Sequence, residues 1–223
     1  HSTTHLGNAH LYKKLPYDTL KDFAPVGTLA AQPGVLTTHP SLPVKTVGEL
    51  TAFAKARAGQ LNYGTSGVGT PPHLASEMYK SMAGINLVHV PYKTVAAAVT
   101  EQMAGQIQVS FQYGPSSLPH VRSGRLRALA VSTPKRSAVL PQVPTVSEAG
   151  LPGYEASSWY GLIVPAATPP AILARLSNDT IKALEFTEVK ERLVSQGIVP
   201  AAGGTDEFRK YMAAEIPKWT KVI

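Results

Sequence analysis

The sequence predicts an α/β fold built on parallel-dominated sheets. Three observations carry that expectation. Between Leu61 and Val131 the chain alternates strand-like and helix-like segments four times, a repetition that favours parallel strands joined by right-handed crossovers. Glycines stand at the ends of the helical segments, at Gly59, Gly84 and Gly105, where a left-handed residue closes a helix without a Cβ penalty. With 223 residues, 43% hydrophobic and 16% charged, the chain also has ordinary globular composition. That is long enough for a substantial core, as one large or two small domains.

The elements follow in order. Thr46 to Ala58 reads as a helix: Thr46 and Glu49 form a capping-box pattern, and Val47, Leu50 and Ala54 give an apolar stripe. Leu61 to Ser66 is a short strand, followed by the turn Gly67-Val68-Gly69. Thr70 then has the character of an N-cap, with Pro71 at the first helical position. Leu74, Met78 and Met82 share one face of that helix. Leu87 to Val90 is the next strand, and Thr94 to Ala104 a helix with Val95, Val99 and Met103 inward. Ile107 to Phe111 is a strand, Ser116 to Ser123 a short helix and Leu126 to Val131 a strand.

From Thr133 to Gly153 the chain is rich in Pro, Ser and Gly, which predicts an extended surface connection with at most one helical turn near Val146. Trp159 to Val164 is an apolar strand. Thr168, Pro169 and Pro170 repeat the start seen at Thr70, with Ile172, Leu173, Leu176, Thr180 and Leu184 as the buried stripe of the helix that follows. Thr187 to Gln196 is a shorter helix stopped by Gly197. Thr205 to Val222 is the last, with Phe208, Tyr211, Met212, Ile216 and Trp219 inward and Pro217 expected to kink or interrupt it.

Composition excludes several classes of function. Cysteine is absent, which removes disulfides, zinc fingers, thiol nucleophiles and iron–sulfur sites together. No apolar run approaches the ~18 residues of a membrane span. The net charge is +7, but the basic residues are dispersed. The densest stretches, Arg122 to Arg127 and Lys135-Arg136, do not alternate with stacking aromatics, so nucleic acid is disfavoured. His1 and His5 have the spacing of metal ligands at a terminus, where unliganded polar residues are the preferred reading. No metal or cofactor is expected.

Ligands of open parallel sheets bind beyond the carboxyl ends of the strands, and three loops qualify. The first is Ser66 to His73, where glycines let the backbone approach a ligand and the helix start presents free amides. Pro71 and Pro72 cannot donate, so the usable amides there are those of Gly69, Thr70, His73 and Leu74. The second is Pro91-Tyr92-Lys93-Thr94 and the third Gln112-Tyr113-Gly114-Pro115-Ser116. Together they form a cup of donors suited to a carboxylate, against the plainer reading of a tight turn with a capped helix. Catalytic signatures are thin: there is no nucleophile elbow, phosphate loop, dinucleotide fingerprint or H-E-x-x-H. His39, His89 and His120 read as isolated structural residues, and Glu49, Glu77, Glu101, Asp179, Glu185, Glu188 and Glu191 as solvated helix charges. Core packing is preferred for at least one of Trp159 and Tyr160.

Stretches across nearly the whole chain closely resemble one family, the periplasmic solute receptors of tripartite tricarboxylate transporters, also called Bug receptors. They are Leu11 to Asp18 with Lys21 to Val26, His39 to Val44, Gly59 to Tyr63, Val88 to Lys93, Leu126 to Val131 and Val143 to Tyr154. The resemblance implies a bilobal venus-flytrap fold of the type II periplasmic-binding class, without catalysis. It implies capture of a small mono- or dicarboxylate in the periplasm and delivery to membrane permease subunits. The lobes would be residues 31–157, and residues 1–30 with 158–223. The candidate ligand contacts are Ser66, Gly67, Gly69, Thr70, His73, Tyr92, Gln112 and Tyr113, together with Ser2.

The chain departs from the family pattern in four places, one of them Pro217, which replaces a helix-compatible residue in the last helix. Family chains begin earlier, so the first lobe is expected to lack its usual N-terminal part. Ile172, Leu176, Phe208, Tyr211 and Met212 would then be under-buried, with self-association or low stability as the consequence. Tyr92-Lys93-Thr94 stands where the family has Tyr-Lys-Gly, and Gln112-Tyr113 where it has Asp-Asn. A neutral Gln112 removes any requirement for an amino group on the ligand. Two competing readings are a small α/β enzyme using Ser66 or His73, and a homologue that has lost binding.

Overall fold

Two proline-punctuated strands that the sequence reading left unassigned, at residues 23–32 and 34–38, organise the two sheets. The computed structural model describes residues 2–11, 14–113, 116–220 and 222. The chain opens with α1 (Thr3–Leu11), β1 (Phe23–Gln32), β2 (Gly34–Thr38), α2 (Val47–Ala56) and β3 (Asn62–Thr65). There follow α3 (Pro71–Ala83), β4 (Val88–Pro91), α4 (Val95–Met103), β5 (Val109–Tyr113), α5 (Leu118–Arg122) and β6 (Arg127–Val131). Last come β7 (Ser158–Pro165), α6 (Pro170–Glu185), α7 (Thr187–Ser195), β8 (Val199–Gly203) and α8 (Thr205–Thr220). The chain divides into residues 1–32 with 158–223, and residues 33–157. Among the described residues no helix is long and apolar enough to cross a membrane.

In the first unit β1 lies between β7 and β8, and all pairing is antiparallel, unlike the parallel strands expected. Pro25 and Gly27 are poor strand residues; β1 accommodates them with register shifts between Pro25 and Gly27 and between Thr28 and Ala30. Gly161 on β7 leaves room for the Phe208 ring, which a Cβ there would overlap. Phe208 and Met212 on α8 are fully buried against Leu6 and Trp159. The under-burial expected of those two is therefore corrected: α1, unforeseen from sequence, covers them. Tyr211 and Leu176 are half-buried.

Ile172 is 51% exposed; the rest of the stripe read in the sequence faces inward, with Leu173, Leu176 and Thr180 half-buried and Leu184 buried, and buried Ser177 and half-buried Ile181 join it. The helix α8 continues through Pro217 to Thr220 rather than stopping at it. Beside that proline, Glu215 is buried and accepts from Trp219 Nε1 at 3.0 Å and Lys218 Nζ at 2.9 Å. His5 is buried, stacked on Tyr17 at 5.8 Å with the Phe23 ring edge-on at 5.2 Å, and its Nε2 lies 3.2 Å from the Thr19 carbonyl. That is a packing role; His1 lies outside the described residues.

In the second unit the strand order is β4-β3-β5-β2-β6. Pairing of β3 with β4 and β5 is parallel, as the repeats predicted. The exception is β2, which is antiparallel to β5 and β6 and makes the sheet mixed. Pairing with β2 also carries β5 on to Tyr113, two residues past its expected end. Helix α2 starts as read: Glu49 N donates to Thr46 Oγ1 at 3.1 Å and Val47, Leu50 and Ala54 are buried. On α3 Met82 is exposed instead of sharing the inward face of Leu74 and Met78.

On α4 the buried residues are Ala98, Val99 and Gln102, while Val95 and Met103 are half-buried. Gln102 is inward because its amide is satisfied there. Its Nε2 donates to the Thr37 carbonyl, and its Oε1 accepts from Thr37 Oγ1, both at 3.0 Å, and from Gln112 Nε2 at 3.2 Å. The 133–153 stretch has no helix, and it is no mere surface connection: Leu140, Val143 and Val146 are buried. Tyr154, just after it, stacks on Phe111 at 5.8 Å and donates to the Ala75 carbonyl at 2.8 Å.

Gly161→Ala drives a methyl into a Phe208 ring that is itself fully buried. Overpacking of this kind costs about 1–3 kcal/mol, so the urea midpoint falls by that equivalent; an unchanged midpoint contradicts this packing.

Candidate functional site

The site begins where β3 gives way to α3. Gly67 and Gly69 hold φ of 122° and 75°, values that L side chains rarely adopt. Those two residues let the chain reverse over the strand end and deliver the first turn of a thirteen-residue helix. The turn is tied from within. Gly67 N donates to Thr65 Oγ1 at 3.1 Å, and the Gly67 carbonyl accepts from Thr70 Oγ1 at 2.6 Å. Gly69 N donates to His73 Nδ1 at 3.4 Å.

Three of the four amides expected to be usable are thereby engaged. Gly69 N serves His73, Thr70 N serves the Gly67 carbonyl at 3.4 Å, and Leu74 N serves the Thr70 carbonyl at 3.0 Å. His73 N is the fourth. Among the described residues the amides of Val68 and His73 have no hydrogen-bond partner, and Val68 is exposed. Thr70 has the extended backbone of an N-cap but makes no side-chain cap; its single hydroxyl proton is held by Gly67. It shapes the loop rather than capping the helix.

Tyr92 stands beside this turn, its amide donating to the Thr65 carbonyl at 2.9 Å. Thr65, Ser66, Gly67, Gly69, Thr70, His73 and Tyr92 therefore form one constellation at the carboxyl ends of β3 and β4. Gln112 and Tyr113 do not extend it as loop residues. They are the last residues of β5, both buried. Gln112 is bonded to Gln102, and the Tyr113 hydroxyl donates to the Ala156 carbonyl. The sequence reading ended β5 too early because it lacked β2. Gly114 and Pro115 of the third loop lie outside the described residues. Ser2 belongs to the other unit, where it bridges Tyr160.

Beneath the turn lies a polar cluster that sequence reasoning missed. His89 is not isolated: its Nε2 is 2.7 Å from Thr65 Oγ1, and its ring stacks on Tyr63 at 4.8 Å and meets His73 at 4.7 Å. Glu77 is no solvated helix charge either. It accepts from the Tyr63 hydroxyl and from Lys80 Nζ at 2.7 Å. Parallel pairing of β3 with β4 puts Tyr63 opposite His89, and the i,i+4 spacing of His73 and Glu77 completes the group.

Burial works against charge on Glu77, but the hydrogen bonds from Lys80 and Tyr63 hold its carboxyl below the usual range. Burial and the Glu77 carboxylate push the Tyr63 hydroxyl up. Burial pulls both imidazoles down. His73 falls below its ordinary value although Glu77 opposes the shift, and His89, further repelled by His73, falls to about 4. Both rings are neutral at neutral pH. The only hydroxyl–imidazole bond in the constellation belongs to Thr65, which is 1% exposed. Among the described residues no group of His, Asp and Glu is arranged to hold a metal ion. What the turn offers is amide donors on a helix start, an arrangement that holds an oxyanion.

The family model for the tripartite tricarboxylate transporter family receptor matches residues 1–223. Protein BugT of Bordetella pertussis is 34% identical over 213 residues, 96% of this chain and 65% of that protein. A protein encoded in the TAR-I ttuE–ttuC' intergenic region of Agrobacterium vitis is 34% identical over 218 residues, 96% of this chain and 63% of that one. The chain thus spans somewhat under two thirds of the length of these relatives. Among solved structures, the R. palustris protein Rpa4515 with adipate superposes with a TM-score of 0.86 at 35% identity, covering 95% of this chain and 71% of that one. MatC of Rhodopseudomonas palustris with bound malate gives 0.87 at 28% identity, covering 99% and 76%. The family model covers every residue of the chain, and the chain belongs to the tripartite tricarboxylate transporter receptor family.

Proposed function

We propose that this protein is a periplasmic solute receptor that takes up a small organic mono- or dicarboxylate and passes it to the membrane permease subunits of a tripartite tricarboxylate-type transporter. The observation that carries the reading is the β3–α3 turn. It leaves the Val68 and His73 amides without a partner at a helix start and keeps its histidines neutral. A carboxylate oxygen there receives hydrogen bonds from Val68 and His73 amides in the positive field of α3. The solved relatives with adipate and with malate support the same ligand class.

Binding without turnover is favoured over catalysis. The bond to His89 goes to buried Thr65 and not to Ser66, and His73 Nδ1 faces the Gly69 amide. Neither candidate has the nucleophile–base pairing that hydrolysis needs.

Calorimetric titration of the protein with adipate, malate and aspartate tests the reading. Heat of binding for a plain dicarboxylate, with ligand recovered unchanged, is expected. Residues 66–73 contain no acid, and Glu77 is already occupied by Tyr63 and Lys80, so an ammonium group finds no carboxylate partner in the turn. Malate should bind at least as well as aspartate; turnover, or a strong preference for the amino acid, refutes the proposal.

Thr70→Val removes the 2.6 Å bond that anchors the Gly67 carbonyl. It should weaken the dicarboxylate by about 1–3 kcal/mol. Unchanged affinity would show that the anchor does not set the amides.

A further inference from the structure

We infer that His89 is a positioning residue for the binding turn: through Thr65 Oγ1, and alongside the His73–Gly69 bond, it fixes the conformation of Gly67 to Gly69 without touching ligand. This rests on the reading of the turn as the binding site, but the geometry behind it concerns the turn alone.

A threonine hydroxyl has one proton and two lone pairs. Thr65 Oγ1 accepts from Gly67 N at 3.1 Å, lies 3.3 Å from the Gly67 carbonyl and 2.7 Å from His89 Nε2. All three contacts are satisfied together in one arrangement only. His89 Nε2–H donates to Thr65, and Thr65 donates to the Gly67 carbonyl while accepting from the Gly67 amide. With the opposite tautomer the hydroxyl proton turns to the imidazole and the Gly67 carbonyl loses this donor. His89 therefore decides which way the Thr65 proton points, and the Thr65 proton helps to hold a glycine at φ 122°.

His73 acts in parallel. Its Nδ1 accepts from the Gly69 amide only while unprotonated, since an imidazolium has two donors and no acceptor. The groups facing the two rings are Tyr63 from β3 and His73, Glu77 and Lys80 from α3. Lys80 and the neighbouring ring disfavour a second positive charge, and Glu77 favours it. Both rings have native values below the ordinary one, so the folded turn binds protons less readily than the unfolded chain. Its stability is full above the ordinary histidine value and is lost as pH falls through the lowered native values.

Amide exchange and adipate titration on three forms of the whole chain test the inference. His89→Phe keeps a ring stacked on Tyr63 but deletes the donor to Thr65, whereas His89→Gln retains an N–H donor. The Phe variant should exchange the Gly67 amide about tenfold faster and bind adipate about tenfold more weakly, the scale of one such hydrogen bond. The Gln variant should stay within about threefold of the parent for both. Parent-like Gly67 exchange in His89→Phe overturns the inference whether or not adipate binds, while adipate failing to bind the parent protein overturns the binding reading instead. In the unmodified protein, which has no folding risk, the Gly69 amide shift should titrate together with the His73 ring signals. A Gly69 shift that stays constant while the ring protonates also overturns it.

Discussion

Thr65 Oγ1 lies at the end of β3 within hydrogen-bonding distance of a glycine amide, a glycine carbonyl and an imidazole. Its own backbone carbonyl takes the Tyr92 amide, so the same residue also ties the end of β4 to the turn. A loop with two glycines at positive φ has a large conformational freedom to lose. Buried, directional partners select one conformer from that freedom, and Thr65 supplies them from a strand held by β4 on one side and β5 on the other.

The electrostatics follow from the same burial. Lys80 is neutralised by Glu77, and the two imidazoles are kept neutral first by desolvation, His89 also by His73 beside it. Within residues 66–73, an anion is therefore met by amide dipoles and by no side-chain cation. Such a site can accept a carboxylate without a salt bridge to remove from water on binding and restore on release, and desolvating paired charges is costly. For the proposed receptor role, this arrangement would serve release of the ligand. The aromatic and amide contacts below are correspondingly rigid: Tyr63 and Phe111 are fully buried, and Gln102 ties α4 to β2 and β5.

The helices bounded by Gly and by caps were legible in the sequence, because their signals are local. Thr46 with Glu49 and the αL residue Gly84 mark helix ends that the structure has. The strands β1, β2 and β8 and the helix α1 were not legible. Their residues, such as Pro25 and Gly27 in β1, satisfy partners far away in the chain. That omission propagated to the site: without β2, the sequence ends β5 at Phe111 and turns Gln112 and Tyr113 into loop residues. The turn itself was readable from Gly67, Gly69 and Thr70. Its fixing was not, since Thr65 and His89 meet across parallel strands, a relation that no local spacing encodes. His89 and Glu77 looked ordinary because their partners are non-local or one helical turn away.

Thr65→Val conserves shape and removes the hydroxyl that joins Gly67 to His89. Calorimetric titration of this variant with adipate and malate, beside the parent protein and with circular dichroism to confirm the fold, bears most directly on whether that hydroxyl sets the site. Native secondary structure with dicarboxylate affinity reduced by tenfold or more, about 1.4 kcal/mol, is the expected result. Native structure with parental affinity would contradict it.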